Sequence, residues 1–263
     1  MKNIGVSILS RYNSKRLEGK ALIEINGKKL LSHIVDKINY DIPDIETYIT
    51  TSKNSSDDII IEYCKRNNYK HFRGSLDNVA SRLLNCGIEN NWDYIIRING
   101  DNLFIDTSSL KSMISIAQTK EFDFISNVPG RTFPYGMSIE IIKTDFLKNV
   151  INKFDKYDRE HVTSWLYRNE SIGSRYILNN KYYPLLSNLK LSIDSNDDII
   201  LAEKIFSYFT NRNNIDIQDL NFLHKNFNLL DTNNKKDKFW IGKHGPMLIA
   251  EIGGNHEGSF TEA

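Results

Sequence analysis

The sequence predicts an α/β fold: a mostly parallel sheet with helices on both faces. Three observations carry this expectation. Apolar runs of strand length alternate with amphipathic stretches of helix length through the first half, the βαβα order that builds parallel sheets. The 263 residues suffice for a sizeable buried core. The second half is strand-rich and less regular, as where loops build a binding site on a regular scaffold.

The elements follow in order. IGVSIL (4 to 9) is a strand, rich in branched aliphatic residues. LLSHIVDKI (30 to 38) repeats its apolar residues at helical spacing, ETYITT (46 to 51) is again β-branched, and DDIIIEYCKRN (57 to 67) is a helix that starts acidic and ends basic. YKHF (69 to 72) is a short strand, DNVASRLLNCGIEN (77 to 90) a helix and DYIIRI (93 to 98) a strand. Beyond residue 120 come strands at 123 to 128 and 137 to 142, helices near 144 to 152 and across 158 to 168, and strands near 174 to 179 and 189 to 193. A helix at 196 to 210 closes a domain spanning 1–212. Residues 213–238, with DTNNKKDK and only one helical patch, read as a linker, and 239–263 turn apolar and Gly-rich again.

Charge narrows the partners. With 34 Lys and Arg against 33 Asp and Glu, the net charge of +1 gives no global pull toward nucleic acid or a membrane surface, so any anion site is local. Cys64 and Cys86 lack metal-ligand spacing and read as reduced thiols. The N-terminus has no secretory signature and no window approaches a membrane span, so a soluble, cytoplasmic protein is expected.

Four stretches carry candidate chemistry. SRYNSKRLEGK follows the first strand and packs Arg11, Lys15, Arg16 and Lys20 into ten residues, among Ser10, Ser14 and Gly19. Loops after the first strand of an α/β sheet are favoured phosphate sites, and a solvated basic loop is the other reading. In RINGDNLFID, Asp101 stands at a strand's carboxyl tip, where a carboxylate holds a hard cation against phosphate, unless Asn99-Gly100-Asp101-Asn102 is plain turn chemistry. In LSIDSNDD, Asp194 repeats that placement, with helix capping as its alternative. YDREHVTSWL offers Arg159, Glu160 and His161 at a helix start. No P-loop, GxGxxG, HExxH or Ser/His/Asp order occurs; the residues suit charge clamping.

Taken together, SRYNSKRLEGKAL, FRGSLDNV, RINGDNLFID, DFISNVPGRTFPYG, YDREHVTSWL and LSIDSNDD, in that order over residues 1 to about 208, resemble the SpsF-type cytidylyltransferases, relatives of the CMP-sialic acid and CMP-Kdo synthetases. The resemblance implies a Rossmann-like, GT-A-like nucleotidyltransferase: a three-layer sandwich with a mixed, mostly parallel sheet, dimeric, using CTP and Mg2+ to activate an acidic sugar. Ser10, Arg11, Ser14, Arg16 and Lys20 match its phosphate loop, with Lys20, Arg11 and Asp101 in catalytic roles. Arg73, Gly74, Ser75, Asn78 and Asn99 match its nucleotide-binding positions, and Asp101 and Asp194 its metal-binding carboxylates. Arg131, Tyr135, Glu140, Arg159, Glu160 and His161 fall on the sugar side. The chain departs from the family pattern at Glu18, at Asn102-Leu103-Phe104, and at Tyr135 and Ser138.

The tail GPMLIAEIGGNHEGS resembles the start of the sialic acid synthases, with Glu251, Asn255 and His256 at matching positions. It is too short to hold a (β/α)8 barrel, and reads as a truncated barrel start, a remnant or an ordinary β-hairpin extension. Two alternatives stay beside the main reading: transfer of a nucleotide to a sugar phosphate from CTP or GTP, and a catalytically weak nucleotide-binding lobe of a fused synthase.

Overall fold

The computed structural model describes residues 1–227 apart from 15, 188, 210, 211 and 213, together with the backbone of 241–242 and 245–246. Two compact units divide the chain, Met1–Leu230 and Asp231–Ala263.

The first unit opens with β1 (Ile4–Leu9), a small hairpin of β2 (Glu24–Ile25) and β3 (Lys28–Lys29), and α1 (Leu30–Asp41). β4 (Glu46–Ser52), α2 (Asp58–Arg66), β5 (Lys70–Gly74), α3 (Val79–Glu89), β6 (Tyr94–Asn99) and α4 (Thr107–Thr119) complete the regular half. Then follow β7 (Phe124–Ser126), β8 (Glu140–Lys143), α5 (Thr144–Val150), α6 (Lys156–His161), α7 (Ser164–Arg168), β9 (Arg175–Ile177), α8 (Asn196–Ser207) and α9 (Ile217–Phe227). Seven strands form one sheet in the order β5-β4-β1-β6-β8-β7-β9, parallel except for β8, which runs against both neighbours. This is the three-layer, mostly parallel architecture expected.

Alternation along the strands sorts side chains into two cores. Ile4, Val6 and Ile8 of β1, with Tyr94, Ile96 and Ile98 of β6, meet the buried faces of α1, α4, α8 and α9. On the other face, Ile95, Phe124 and Ile142 pack against α3, α5 and α7. There β1 presents Gly5, because the Trp92 indole lies across it: a Cβ on Gly5 would stand 1.9 Å from Trp92 Cε2. Gly5→Ala is therefore expected to destabilise the domain by about 3 kcal/mol, read as a lower urea midpoint; an unchanged midpoint would refute the close packing.

Several boundaries differ from the sequence expectation. Helix α4 over 107–119 adds an element that the sequence reading left unassigned: Asp106 caps it, accepting from Ser109 N at 3.1 Å, and Leu110, Met113 and Ala117 are buried. The segment expected as a strand at 189–193 makes a single parallel bridge, Tyr135 to Lys190. Its alternating Leu189, Leu191 and Ile193 are buried, but they pack on the core without a ladder partner. The helix expected across 158–168 breaks at Val162, whose φ is +37°. The linker expected from 213 contains α9, whose Ile217, Leu220 and Leu223 join the core, so the domain passes the expected boundary at 212.

In the second unit, Ile241–Gly242 (β10) pairs antiparallel with Gly245–Pro246 (β11). The remaining residues that resemble a synthase, including Glu251, Asn255 and His256, lie outside the described residues. Among the described residues no helix is long and apolar enough to cross a membrane. Cys64 and Cys86 are both free and buried, and burial pushes each thiol up to about 12.

Candidate active site

The site sits at the carboxyl ends of β1 and β6. Past β1 the chain continues one step along β4, Ser10 N donating to Thr50 O at 3.1 Å, and then turns away. Asp57 fixes that turn by accepting from Tyr12 N at 2.7 Å. Burial opposes the Asp57 charge, but hydrogen bonds from Ser52 and the Tyr12 amide outweigh it and hold the carboxyl below its usual range. The loop closes where Gly19, at φ +66°, donates to Tyr12 O at 2.9 Å; a short 3-10 turn, Lys20–Leu22, then begins and carries Lys20 inward.

Two main-chain contacts bring the carboxylates to the same place. Gly100 N donates to Leu9 O at 2.9 Å, joining the tip of β6 to β1, and Ile193 N donates to Asp101 O at 3.2 Å, drawing the 192–194 segment alongside. The Lys20 ammonium lies between them, 2.7 Å from Asp101 Oδ2, 3.0 Å from Asp194 Oδ1 and 3.3 Å from Ile193 O. All three of its protons thus have acceptors. Arg16 Nη1 stands 3.0 Å from the other Asp194 oxygen. Burial would raise the Asp194 carboxyl, but the bond and charge of Lys20, with Arg16, keep it below its ordinary value. Asp194 is not the helix cap: Ser195 caps α8 in a reciprocal box with Asp198.

This pair fits a hard cation. Two carboxylates and a carbonyl already surround one positive charge, and all are oxygen donors. No cluster of three or more acidic, histidine or cysteine ligands occurs among the described residues. A magnesium ion here would take the two carboxylates and complete its shell from phosphate and water, as that ion ordinarily does.

Two adjoining cavities open over the site. One, about 490 Å³, is lined by Ser10, Arg11, Ser14, Arg16, Lys20, Asn99 and Asp101, and by Glu160 and His161 from α6. The other, about 580 Å³, is lined by Asn13, Asn54, Ser56, Asp57, Asn78 and Arg159. Arg11 and Glu160 line both, 3.7 Å apart between Nη2 and Oε1.

Other expected site residues lie elsewhere. Arg73 braces the end of β4, donating to Ser52 O and Asn54 O at 2.8 Å each, with Asp58 at 2.7 Å. Gly74 gives Arg82 room, since a Cβ there would stand 2.6 Å from Arg82 Cγ. Ser75 accepts from Asn78 N at 3.0 Å, and Asn78 caps α3 while lining the second cavity. Arg131 stacks on Tyr135 with its guanidinium 4.1 Å from the ring centre, and neither lines the two cavities. Glu140 is buried and bonded to Arg97, Thr163 and Tyr167, so it does not face the cleft as a sugar ligand would.

Two arginines escaped the sequence reading. Arg82 is buried on α3, where burial pushes its guanidinium down to about 10, and it lines the first cavity with Nε lacking a partner among the described residues. Arg97 lines the same cavity from β6. The available signal was an arginine inside an apolar run, LLN preceded by Arg82 and II–I around Arg97, where a charge carries a solvation cost unless something compensates it.

The comparisons with known proteins give the family and the fold. A family model described as Cytidylyltransferase matches residues 6–226. The chain is 25% identical over 228 residues to the spore coat polysaccharide biosynthesis protein SpsF of Bacillus subtilis, covering 84% of this chain and 93% of that protein. It is 26% identical over 152 residues to the 3-deoxy-manno-octulosonate cytidylyltransferase of Christiangramia forsetii, covering 56% of this chain and 58% of that one. Among solved structures, a cytidylyltransferase from Leptospira borgpetersenii superposes with a TM-score of 0.81 at 24% identity, over 88% of this chain and 98% of that one. CMP:2-keto-3-deoxy-manno-octonic acid synthetase complexed with CTP gives 0.59 at 14%, over 78% of this chain and 99% of that one.

Proposed function

Because the chain belongs to the cytidylyltransferase family, we propose that it transfers CMP from CTP to an acidic 3-deoxy-2-keto sugar, nonulosonic or related, for surface glycan synthesis. The observation that carries this reading is the Lys20–Asp101–Asp194 cluster, set in a cleft with Arg11, Arg16 and Arg82. Opposed charges of this kind suit a triphosphate and its metal better than an uncharged ligand.

In this reading the sugar hydroxyl oxygen bonds to the α-phosphorus and gives up its proton to solvent, the bond from that phosphorus to the bridging oxygen of the β-phosphate breaks, and pyrophosphate leaves with that electron pair. Arg11, Arg16 and Lys20 hold the triphosphate and offset its growing charge, while Ser10 and Ser14 offer neutral hydrogen bonds beside them. Asn13, Asn54, Ser56 and Asn78 supply polar, uncharged groups suited to a base and ribose. Glu160 and His161 reach the first cavity from α6 on the acceptor side, whereas Arg159, expected on the sugar side, lines the cavity suited to the nucleoside. Magnesium, held by Asp101 and Asp194, supplies further charge neutralisation at the phosphates when bound. The same reading makes the enzyme a cytoplasmic homodimer, and the synthase-like tail a link to the reaction that makes the acceptor.

Pyrophosphate release tests the reading, measured with each of the four nucleoside triphosphates against 3-deoxy-manno-octulosonate, N-acetylneuraminate and a set of sugar 1-phosphates. CTP with an acidic sugar is the productive pair expected. Release only with a sugar phosphate, or nucleotide binding without release from any acceptor, would overturn it.

A further inference from the structure

We propose that Arg97, held in place by Glu140, reads the carboxylate of the acceptor sugar and so sets the enzyme's preference for an acid; this rests on the function proposed above. The inference starts from a break in pattern. On the sheet face toward α3, α5 and α7, Ile95 of β6, Ile142 of β8 and Phe124 of β7 are apolar and buried. Two residues nearer the cleft on the same face, each strand turns polar: Arg97, Glu140 and Ser126. They stand side by side in register, Arg97 opposite Glu140 and Glu140 opposite Ser126.

A buried polar row of this kind is no cheaper than the apolar packing it replaces, so stability alone does not account for it. Its bonding is lopsided. Both Glu140 oxygens are engaged: one takes Arg97 Nη1, and the other takes Thr163 Oγ1 at 2.9 Å and Tyr167 Oη at 2.7 Å. Tyr167 in turn lies 2.8 Å from Ser126 Oγ. Arg97 is not saturated. Its bond to Glu140 uses one of five N–H groups, its buried Nε has no partner among the described residues, and the residue lines the cleft. A fixed, planar guanidinium with N–H groups to spare matches a carboxylate.

Position assigns it to the acceptor. The cavity of Asn54 and Asn78 lies toward β4 and β5, Asp101 follows β6, and β8 continues the sheet on the far side. Arg97 thus stands on β6 itself, below Asp101, and its partner strand β8 lies on the side of β6 away from the cavity suited to the nucleoside. The backbone supports the same arrangement: Val162, at φ +37°, breaks α6 from α7, so that His161 lines the cleft while Thr163 reaches down to Glu140. A β-branched residue at positive φ carries a conformational cost that such a placement offsets.

The test compares acid with amide. 3-Deoxy-manno-octulosonate and N-acetylneuraminate are each assayed against their C1 amides, with wild type and with the double variant Arg97→Gln/Glu140→Gln, which removes both charges together and leaves groups able to hydrogen-bond. Wild type is expected to favour the acid by about 100-fold in kcat/KM, and the double variant by less than about tenfold, with the KM for CTP unchanged within about twofold. Glu140→Gln alone, a change at a positioning residue, is expected to raise the KM for the acid and not that for CTP. A double variant that keeps the full acid preference would overturn the role of Arg97 while leaving the proposed function standing. A wild-type enzyme that activates only sugar phosphates would overturn the function, and the assignment with it.

Discussion

Lys20→Met is expected to lower the rate of CMP transfer by about a thousandfold, while tightening Mn2+ binding in the absence of nucleotide. The first effect follows from removing a positive charge beside the reacting phosphates. The second follows from the contacts of Lys20. Its ammonium occupies an oxygen from each of Asp101 and Asp194, so a metal ion arriving alone must displace a bonded cation. Under the proposed function a triphosphate would offer Lys20 and Arg16 other oxygens and release the carboxylates, which would make nucleotide and metal binding mutually reinforcing. Without Lys20 the two carboxylates, Asp194 largely buried, face each other with too little compensation. The variant should therefore melt at a lower temperature and recover part of the loss when Mn2+ is added, since a ligand that binds only the folded state stabilises it. Paramagnetic resonance of Mn2+ with and without CTP reads the coupling directly. Equal Mn2+ affinity in wild type and variant would rule out competition by Lys20.

Gly136→Ala is expected to be the most damaging substitution outside the cleft. Gly136 has φ +94°, where a side chain is strained, and its Cβ would stand 2.4 Å from Ser192 N and 2.6 Å from Leu191 C. Both neighbours are backbone, so no rotamer change relieves the clash. Strain and overlap together should cost about 4 kcal/mol in urea unfolding. The displaced residues lead straight to Asp194, so Mn2+ binding measured with CTP should weaken as well. Gly130, at φ +74° with no atom nearer than Asn179 Oδ1 at 4.0 Å, is the control: its alanine variant carries strain without overlap and should lose only about 1 kcal/mol. Equal losses at the two positions would refute the role given to the Ser192 contact.

Much of this architecture was readable before any coordinates. The runs of Ile, Val and Thr in β1, β4 and β6 announce strands because a half-buried pleated surface favours branched side chains. The 189–193 segment shows the limit of that signal. Period-two burial reports a chain with one face on the core, and says nothing about a hydrogen-bonded neighbour. The apolar residues of α9 were legible as a helical patch, but the polar runs around them read as a linker, and the serines that open α4 suit turns and helix starts alike.

The site divides along similar lines. Lys20, Asp101 and Asp194 were expected together and stand together. Arg73 and Glu140 have the right charge for ligand contacts, but residue type does not say whether a charge is answered by a ligand or by the protein. Here Ser52, Asn54 and Asp58 answer the first, and Arg97, Thr163 and Tyr167 the second. Arg97 and Arg82 passed unnoticed because neither belongs to a cluster in the sequence; each joins the other cations only once β6 and α3 are laid beside the loop after β1.

The bond from Ile193 N to Asp101 O also has a temporal meaning. Lys20 and Asp194 are 174 residues apart, so the cation site depends on a contact that closes nearly the whole domain. Contacts of such long range are costly to form early in folding. As the polypeptide leaves the ribosome, the loop after β1 and the tip of β6 are made long before Asp194 emerges. The charge cluster is thus completed among the last parts of the domain, and a chain still being synthesised lacks its second carboxylate.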